Sequence, residues 1–350
     1  MTACAADFEL LYESMMKCKC GVIWKDSVAH FYLNWLSELI KLESQIKSGT
    51  YKERPPHEFV LTSPKRRVAT SISYRDRVYQ RSLNDNFVYP DMTRSFIYDN
   101  AACQKGKGTD FARKRFKKAL QDYVHKHGTE GYIGYYDILG YYAHLRHAHV
   151  NHLFMQRIKR PSNAEAVKVL SNQYSGDMGY NPGSQMVQIA GISALDPFDH
   201  FSTEVMRING YRRYMDDFRV ISKTREDLKA FEKAASEQLA KIGLELHPRK
   251  CGIATLQEGA TYLGFIFRVT RTGKVLMLLS PENVSRERKH LKNMVAKCKR
   301  GCLSRERVTE SFNAWINHAE KGDTFKVKQR MIRYYSSLWK GEDKTCYTNT

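Results

Sequence analysis

Two adjacent acids, Asp216 and Asp217, stand in the run Tyr214-Met215-Asp216-Asp217, within two short apolar arms spanning 211–221. Neighbouring carboxylates repel each other and contribute nothing to a core, so the pair makes chemical sense where a divalent cation binds. The arms predict a β-hairpin with the acids at its tip. Hard carboxylate oxygens suit Mg²⁺. The chemistry they support is two-metal phosphoryl transfer, with ions about 3.5–4 Å apart acting on the attacking and leaving oxygens. Such a centre needs another carboxylate from a neighbouring strand. Asp137 meets that need, since it ends the strand-like run Tyr132–Tyr136 and leads into Ile138-Leu139-Gly140-Tyr141-Tyr142. An aspartate after a strand is by itself a turn or cap residue; the acidic hairpin downstream and the aromatic pair at +4 and +5 favour chemistry.

The cysteines offer no rival centre. Cys4, Cys18, Cys20, Cys103, Cys251, Cys298, Cys302 and Cys346 contain no C-x-x-C pair, and Cys18-Lys19-Cys20 is too tight for a zinc knuckle. Cys298 and Cys302 are four apart on one expected helix and would need ligands from elsewhere. Reduced thiols are expected.

The elements that must position the acids follow from periodicity. Residues 28–48 place Phe31, Trp35, Leu39 and Leu42 at helical spacing, closed by Gly49. Residues 57–72, β-branched and aromatic around Pro64, predict a hairpin. The stretch 105–126 opens with glycines and continues as a basic amphipathic helix. A strand is expected over 131–139. After the acidic hairpin, Thr224 and Asp227 resemble a capping box, Leu228, Phe231, Ala235, Leu239 and Ile242 form an apolar stripe, and Gly243 ends the helix. A further strand is expected over 261–268. The segment 282–340 reads as helical, anchored by Phe312, Trp315, Tyr334, Tyr335, Leu338 and Trp339. It holds 15 Lys/Arg against 6 Asp/Glu, a net +9 of the chain's +20.

A formal charge of +20 and a sequence pI near 9.5 point to a polyanionic partner. Aromatic residues make up 12% of the chain, and base-stacking rings belong on surfaces that bind polynucleotides, although most rings will be core. No apolar run reaches the length of a membrane span, and no cleavable leader is visible, so a soluble cytoplasmic protein is expected, with no membrane partner. No repeat or low-complexity linker divides the chain.

With these residues in view, the chain resembles the reverse transcriptase family over nearly its whole length. Tyr214 to Asp217 is similar to the family's Y-x-D-D box, and Asp137 to Tyr142 to its D-I-x-x-Y/F-F box. Upstream, Pro64-Lys65-Arg66-Arg67 followed by Asp76-Arg77-Val78 and Gln80 resembles the fingers signature of bacterial members, and Lys105 to Thr109 a glycine-bearing segment found in many of them. Downstream, Lys250 falls where the family carries a lysine after the palm helix, and Tyr262-Leu263-Gly264-Phe265 resembles the primer-grip hairpin. The template box departs from the family's Q-G-x-x-x-S-P. It reads Pro182-Gly183-Ser184-Gln185-Met186-Val187-Gln188, which keeps the glycine but loses the preceding glutamine.

The resemblance implies an α+β fold of the right-hand polymerase type, with fingers, an RRM-like antiparallel palm sheet with helices, and a helical thumb. The expected divisions are 1–130 for an N-terminal extension and fingers, 131–280 for the palm with a fingers insertion at about 145–190, and 281–350 for the basic thumb. It implies an RNA-directed DNA polymerase with two Mg²⁺ ions, for which Mn²⁺ can substitute. The metal set is Asp137, Ile138, Asp216 and Asp217, with Lys250 as general acid toward pyrophosphate or else a solvated loop lysine. Lys65 and Arg67 would cross the triphosphate or remain ordinary surface charge. Tyr142 would exclude a 2′-hydroxyl or remain a core tyrosine. Gly183, Gln188, Tyr214 and Met215 complete the nucleotide and template contacts, and Leu263 and Gly264 the primer grip, where Gly264 is either a close-approach or a bulge glycine. The partners implied are an RNA template, of the structured non-coding kind, a DNA or protein primer, dNTPs, and an accessory protein or a second copy of the chain.

Ten residues follow the basic segment, so no endonuclease or DNA-binding extension is expected. A minimal enzyme is left, like those of bacterial antiphage defence or of diversity-generating retroelements; the altered box favours the former. Template-independent or protein-primed synthesis and a non-catalytic RNA-binding role are the competing functions.

Overall fold

The three-dimensional structure is a computed structural model that describes residues 4–61, 66–159, 162–174, 176–181, 183–208 and 210–340. The chain opens with helices α1 (Phe8–Lys19), α2 (Asp26–Leu33) and α3 (Trp35–Lys47), followed by strands β1 (His57–Leu61) and β2 (Arg67–Ser71) and helix α4 (Tyr74–Leu83). A π-helical turn at Asn84–Val88 leads to α5 (Tyr89–Thr93) and the long α6 (Thr109–His127). Strand β3 (Tyr132–Asp137) precedes α7 (Tyr141–His144), α8 (His147–Arg157), α9 (Ser162–Gln173), α10 (Gln185–Ala194) and α11 (Asp196–His200), the last continued by a π-helical turn at Phe201–Val205. Then come β4 (Arg212–Tyr214), β5 (Asp217–Ser222), α12 (Arg225–Lys241), β6 (Gly252–Thr255), β7 (Ala260–Tyr262), β8 (Phe265–Val269) and β9 (Val275–Leu279). Helices α13 (Pro281–Lys299), α14 (Arg305–Ala319) and α15 (Phe325–Leu338) close the described chain. The mixture of helices with small sheets fits the α+β expectation.

The chain forms two units interleaved along the sequence. The first takes the residues up to Ala112 with Tyr136–Phe218 and Lys229–Cys251; the second takes Arg113–Tyr135, Arg219–Leu228 and the residues from Gly252 on. The sheets have the orders β1-β2, β4-β5-β3-β6 and β7-β8-β9.

In the first unit, α1 packs against both α3 and α4, and Leu11, Met15, Leu39, Leu42 and Val78 of these helices are fully buried. The single helix expected over 28–48 is two, because the Asn34 side chain bonds back to the His30 carbonyl (3.0 Å) and breaks the helical run there. Buried Asp76 accepts from the Tyr51 hydroxyl (2.8 Å), the Arg54 amide (2.9 Å) and the Ser73 hydroxyl (2.7 Å), which fastens the approach to β1 onto the start of α4. The predicted hairpin forms with β1 and β2 antiparallel, from His57 opposite Ser71 to Leu61 opposite Arg67.

In the second unit, Tyr132 to Tyr135 of β3 run antiparallel to β6. Phe116 of α6 meets Tyr262 and Phe267 edge-on, with centroids 5.3 and 5.1 Å apart. The strand expected over 261–268 from residue pattern is corrected to the hairpin β7–β8, a hairpin that the resemblance at Tyr262–Phe265 implied, with Tyr262 opposite Phe265 across a two-residue turn. Leu263 (φ 48°) and Gly264 (φ 88°) are both left-handed, the backbone that two-residue hairpins of matching twist require. The α13–α15 segment is helical as expected. Its buried centre includes Leu291, Val295, Val308 and Met331 beside the expected Phe312 and Trp339, while Trp315, Tyr334, Tyr335 and Leu338 are only partly covered. Cys302 lies past the end of α13 rather than on it, since Gly301 turns left-handed and the Cys302 amide bonds back to the Lys297 carbonyl. Among the described residues no helix is long and apolar enough to cross a membrane.

Candidate active site

The acidic hairpin stands where the sequence places it. β4 and β5 are neighbours in the sheet, and Met215-Asp216 form the turn between them, with Met215 left-handed at φ 57°. Behind the strands, Tyr136 stacks on Phe218 at 5.2 Å, and Phe198, Tyr211 and Phe231 complete an aromatic layer. Large rigid rings give the strands a floor that resists bending.

Asp137 reaches the same place from β3. Its carbonyl accepts from the His247 amide (2.8 Å), and the Leu139 amide bonds to the Glu245 carbonyl (2.9 Å), so residues 137–139 are zipped against 245–247. Ile138, opposite Leu246 in this zipper, is buried. The Asp137 carboxylate takes a hydrogen bond from Lys250 at 2.9 Å. Burial pushes the Asp216 carboxyl above the usual range, and the negative charge of Asp137 adds to that push, while Lys250 and Arg213 pull it back. Asp137, Asp216 and Lys250 therefore share one electrostatic neighbourhood. Asp217 begins β5 immediately after Asp216.

The donor chemistry fits a hard cation. Two carboxylates that oppose each other's ionisation gain from a divalent ion, and Mg²⁺ is commonly held by one or two carboxylates together with substrate phosphates. Among the described residues no three His, Cys, Asp or Glu side chains are already gathered around one metal position. The neighbour drawn to Asp137 here is the Lys250 ammonium.

What fixes the hairpin tip is a group the sequence reading missed. Arg213 is fully buried and forms a two-pronged ion pair with the equally buried Asp199, with Nε at 2.6 Å from Oδ1 and Nη2 at 2.5 Å from Oδ2. The Tyr211 hydroxyl also donates to Asp199 (2.7 Å). The remaining guanidinium bonds go to backbone, Nη1 to the Met215 carbonyl (2.8 Å) and Nη2 to the Ile192 carbonyl (3.0 Å). Burial raises the Asp199 carboxyl, against the downward pull of Arg213 and Tyr211. A signal existed: Tyr211 and Arg213 are two apart, so strand alternation puts both on the inward face. A charge on that face demands a buried counter-charge.

Tyr142 stands beside this cluster in the short α7. Burial raises its phenol well above the ordinary value, and Cys103 and Asp216 add to the effect, which places all three together. Its hydroxyl is buried and has no hydrogen-bond partner among the described residues. Cys103 also approaches Met215, sulfur to sulfur, at 3.9 Å. Tyr214 is half-buried on β4.

The template-box residues lie at the start of α10. Ser184 caps the helix by accepting from the Val187 amide (3.2 Å), and Gly183 lies so close to β2 that an added Cβ would sit 2.6 Å from the Thr70 carbonyl. Gly183 and Gln188 line a cavity of about 380 Å³ together with Arg77, Gln80 and Arg81. Pro182 and Lys65 lie outside the described residues; Arg67 begins β2. In the glycine-bearing segment, Lys107 Nζ bonds to the carbonyls of Tyr98 (2.8 Å) and Asn100 (3.1 Å), so this lysine shapes its own loop. In the second unit, the Leu263 carbonyl accepts from Arg113 (2.8 Å), and Gly264 faces His318.

Compared with known protein families, residues 62–267 match the family model described as reverse transcriptase (RNA-dependent DNA polymerase). No curated protein matches the chain by sequence. The matched stretch contains both acidic boxes, the template box and the β7–β8 turn.

Proposed function

The chain belongs to the reverse transcriptase family, and on that premise we propose that Asp137, Asp216 and Asp217 carry the reaction of a minimal fingers–palm–thumb enzyme. The activity of the family is RNA-directed DNA polymerisation, a nucleotidyl transfer that uses an RNA template and deoxynucleoside triphosphates. Reverse transcriptases use divalent metals such as Mg²⁺. Bound by these carboxylates, with Ile138 beside them, two ions would activate the primer hydroxyl and neutralise charge on the departing pyrophosphate.

The observation that carries the proposal is the shared neighbourhood of Asp137, Asp216 and Lys250, built from three separate stretches of chain. Lys250, held on Asp137 at 2.9 Å, donates a proton to the leaving pyrophosphate. Tyr142 lies under the incoming sugar and leaves no room for a 2′-hydroxyl. Lys65 and Arg67 meet the triphosphate. Gly183 and Gln188 meet the template, and the Leu263-Gly264 turn holds the primer end. Residues 1–130 supply the N-terminal extension and fingers, 131–280 the palm and 281–350 the thumb. Because the template box ends in Val187-Gln188, we place the enzyme with antiphage-defence relatives copying a dedicated structured RNA.

Purified protein with Mg²⁺, dNTPs and a DNA primer on an RNA template should extend the primer. Replacing both hairpin acids (Asp216→Asn with Asp217→Asn) should abolish extension while RNA binding persists. Extension that survives the double substitution removes the assignment.

A further inference from the structure

Gly191 lies in the middle of α10 and is buried. Glycine weakens a helix interior, and its backbone here is not left-handed, so no local conformation calls for it. Its surroundings do. A Cβ added at Gly191 would stand 2.7 Å from the Tyr142 hydroxyl oxygen, 2.9 Å from Cε1 and 3.0 Å from Cζ, closer than carbon tolerates. The ring of Tyr142 therefore lies against the bare helix backbone. Its neighbour Tyr141 donates a hydrogen bond to the Gly191 carbonyl, and the two rings meet edge-on with centroids 5.4 Å apart. One glycine thus receives both tyrosines that end the Asp137 box. Next to it, the Ile192 carbonyl takes a bond from Arg213, which ties this stretch of α10 to the acidic hairpin.

We infer that Gly191 is a specificity-positioning residue, whose missing side chain sets the depth of Tyr142 and thereby the room left for the sugar of the incoming nucleotide. The inference rests on the sugar-excluding role proposed above for Tyr142. A side chain at 191 pushes the ring away from α10, because the helix backbone cannot yield as a side chain can. The ring then enters space that a deoxyribose uses. Tyr141 keeps its bond to the carbonyl and holds the helix in place.

The test is a double-mutant cycle between positions 191 and 142, read as single-nucleotide incorporation of dNTP and of rNTP. Gly191→Ala should raise KM for dNTP by about tenfold with a smaller change in kcat. In the Tyr142→Ala background, where the ring is gone, Gly191→Ala should change KM less than twofold. Thermal unfolding supplies a second reading. Alanine is the better helix former, so Gly191→Ala should raise Tm when Tyr142 is alanine and lower it when Tyr142 is present. Equal effects of Gly191→Ala on dNTP KM in both backgrounds would overturn the inference. If Tyr142→Ala itself admits no ribonucleotide, the role of Tyr142 fails instead; a cycle that still couples in Tm then confirms the contact but leaves it without a part in sugar choice, which also overturns the inference.

Discussion

Two hairpins turn the chain in two residues each, Met215-Asp216 between β4 and β5 and Leu263-Gly264 between β7 and β8, and both hold a large side chain in the left-handed region. In each, the carbonyl of that residue accepts from a buried arginine at 2.8 Å, Arg213 in the first unit and Arg113 in the second. The left-handed conformation costs about 1–2 kcal/mol for a residue other than glycine, and a charge-assisted bond of about 1.5–3 kcal/mol offsets it. The environments of the two arginines differ. Arg213 is gripped by the carboxylate of Asp199, whereas Arg113 stands over the Phe265 ring at 5.2 Å. A carboxylate pair fixes direction as well as position, because both prongs must be met at once. The two-pronged pair of Arg213 and Asp199 sits at the tip that carries the acids, where, on the proposed function, small misplacement would cost the reaction most.

The largest effect should come from breaking the Arg213–Asp199 pair. Asp199→Ala leaves a guanidinium with no exposure and no counter-charge, a loss of about 3–5 kcal/mol, measurable as a drop in the urea midpoint. A loss below about 1 kcal/mol would mean that the pair is replaceable. Replacing both partners by apolar residues (Arg213→Met with Asp199→Leu) should recover much of the stability, since a buried ion pair is weakly stabilising in net terms. Primer extension should not recover with it, because the Met215 carbonyl loses its donor. Recovery of both would reduce Arg213 to a packing group.

A smaller loss is expected in the other hairpin. Arg113→Leu removes the bond to the Leu263 carbonyl and the contact with Phe265, at about 1–3 kcal/mol. If the turn holds the primer, KM for the primer–template duplex should rise while kcat for a bound duplex changes little. A fall in kcat with unchanged KM would assign this turn to the reacting end rather than to grip.

Residue pattern made one of these hairpins visible, while the other was legible only through the resemblance of Tyr262-Leu263-Gly264-Phe265 to the primer-grip hairpin. Asp216-Asp217 between apolar arms is a local signal, and Asp137 could be paired with it through the aromatic pair at +4 and +5. Leu263 interrupts nothing in the run Tyr262–Phe267, so periodicity continues straight through a turn that the resemblance implied and the backbone dihedrals locate. Asp199 was hidden by distance: it lies fourteen residues before Arg213, in a stretch whose capping and turn residues give no hint of a salt bridge. Gly191 was hidden by the opposite cause, since an absent side chain leaves no pattern. In the basic helices, Leu291 and Met331 were overlooked beside lysines and arginines, although they are fully buried while the expected aromatic anchors Trp315, Tyr334 and Tyr335 are only partly covered.

The smallest effect should come from the left-handed residues themselves. Glycine at 263 relieves about 1–2 kcal/mol of backbone strain and gives back about 0.5–1 kcal/mol through the freer unfolded chain. Some apolar contact of the half-buried leucine is also lost. The net change for Leu263→Gly should lie within about 1 kcal/mol of zero, and extension should stay near the starting level, because the carbonyl that Arg113 holds belongs to the backbone. Met215→Gly should be equally mild in stability and should nevertheless slow incorporation, since the Met215 side chain meets Cys103 beside Tyr142 and Asp216. Equal activity in the two glycine variants would mean that both turns act through their backbone alone, and the contrast between them would then rest entirely on their arginines.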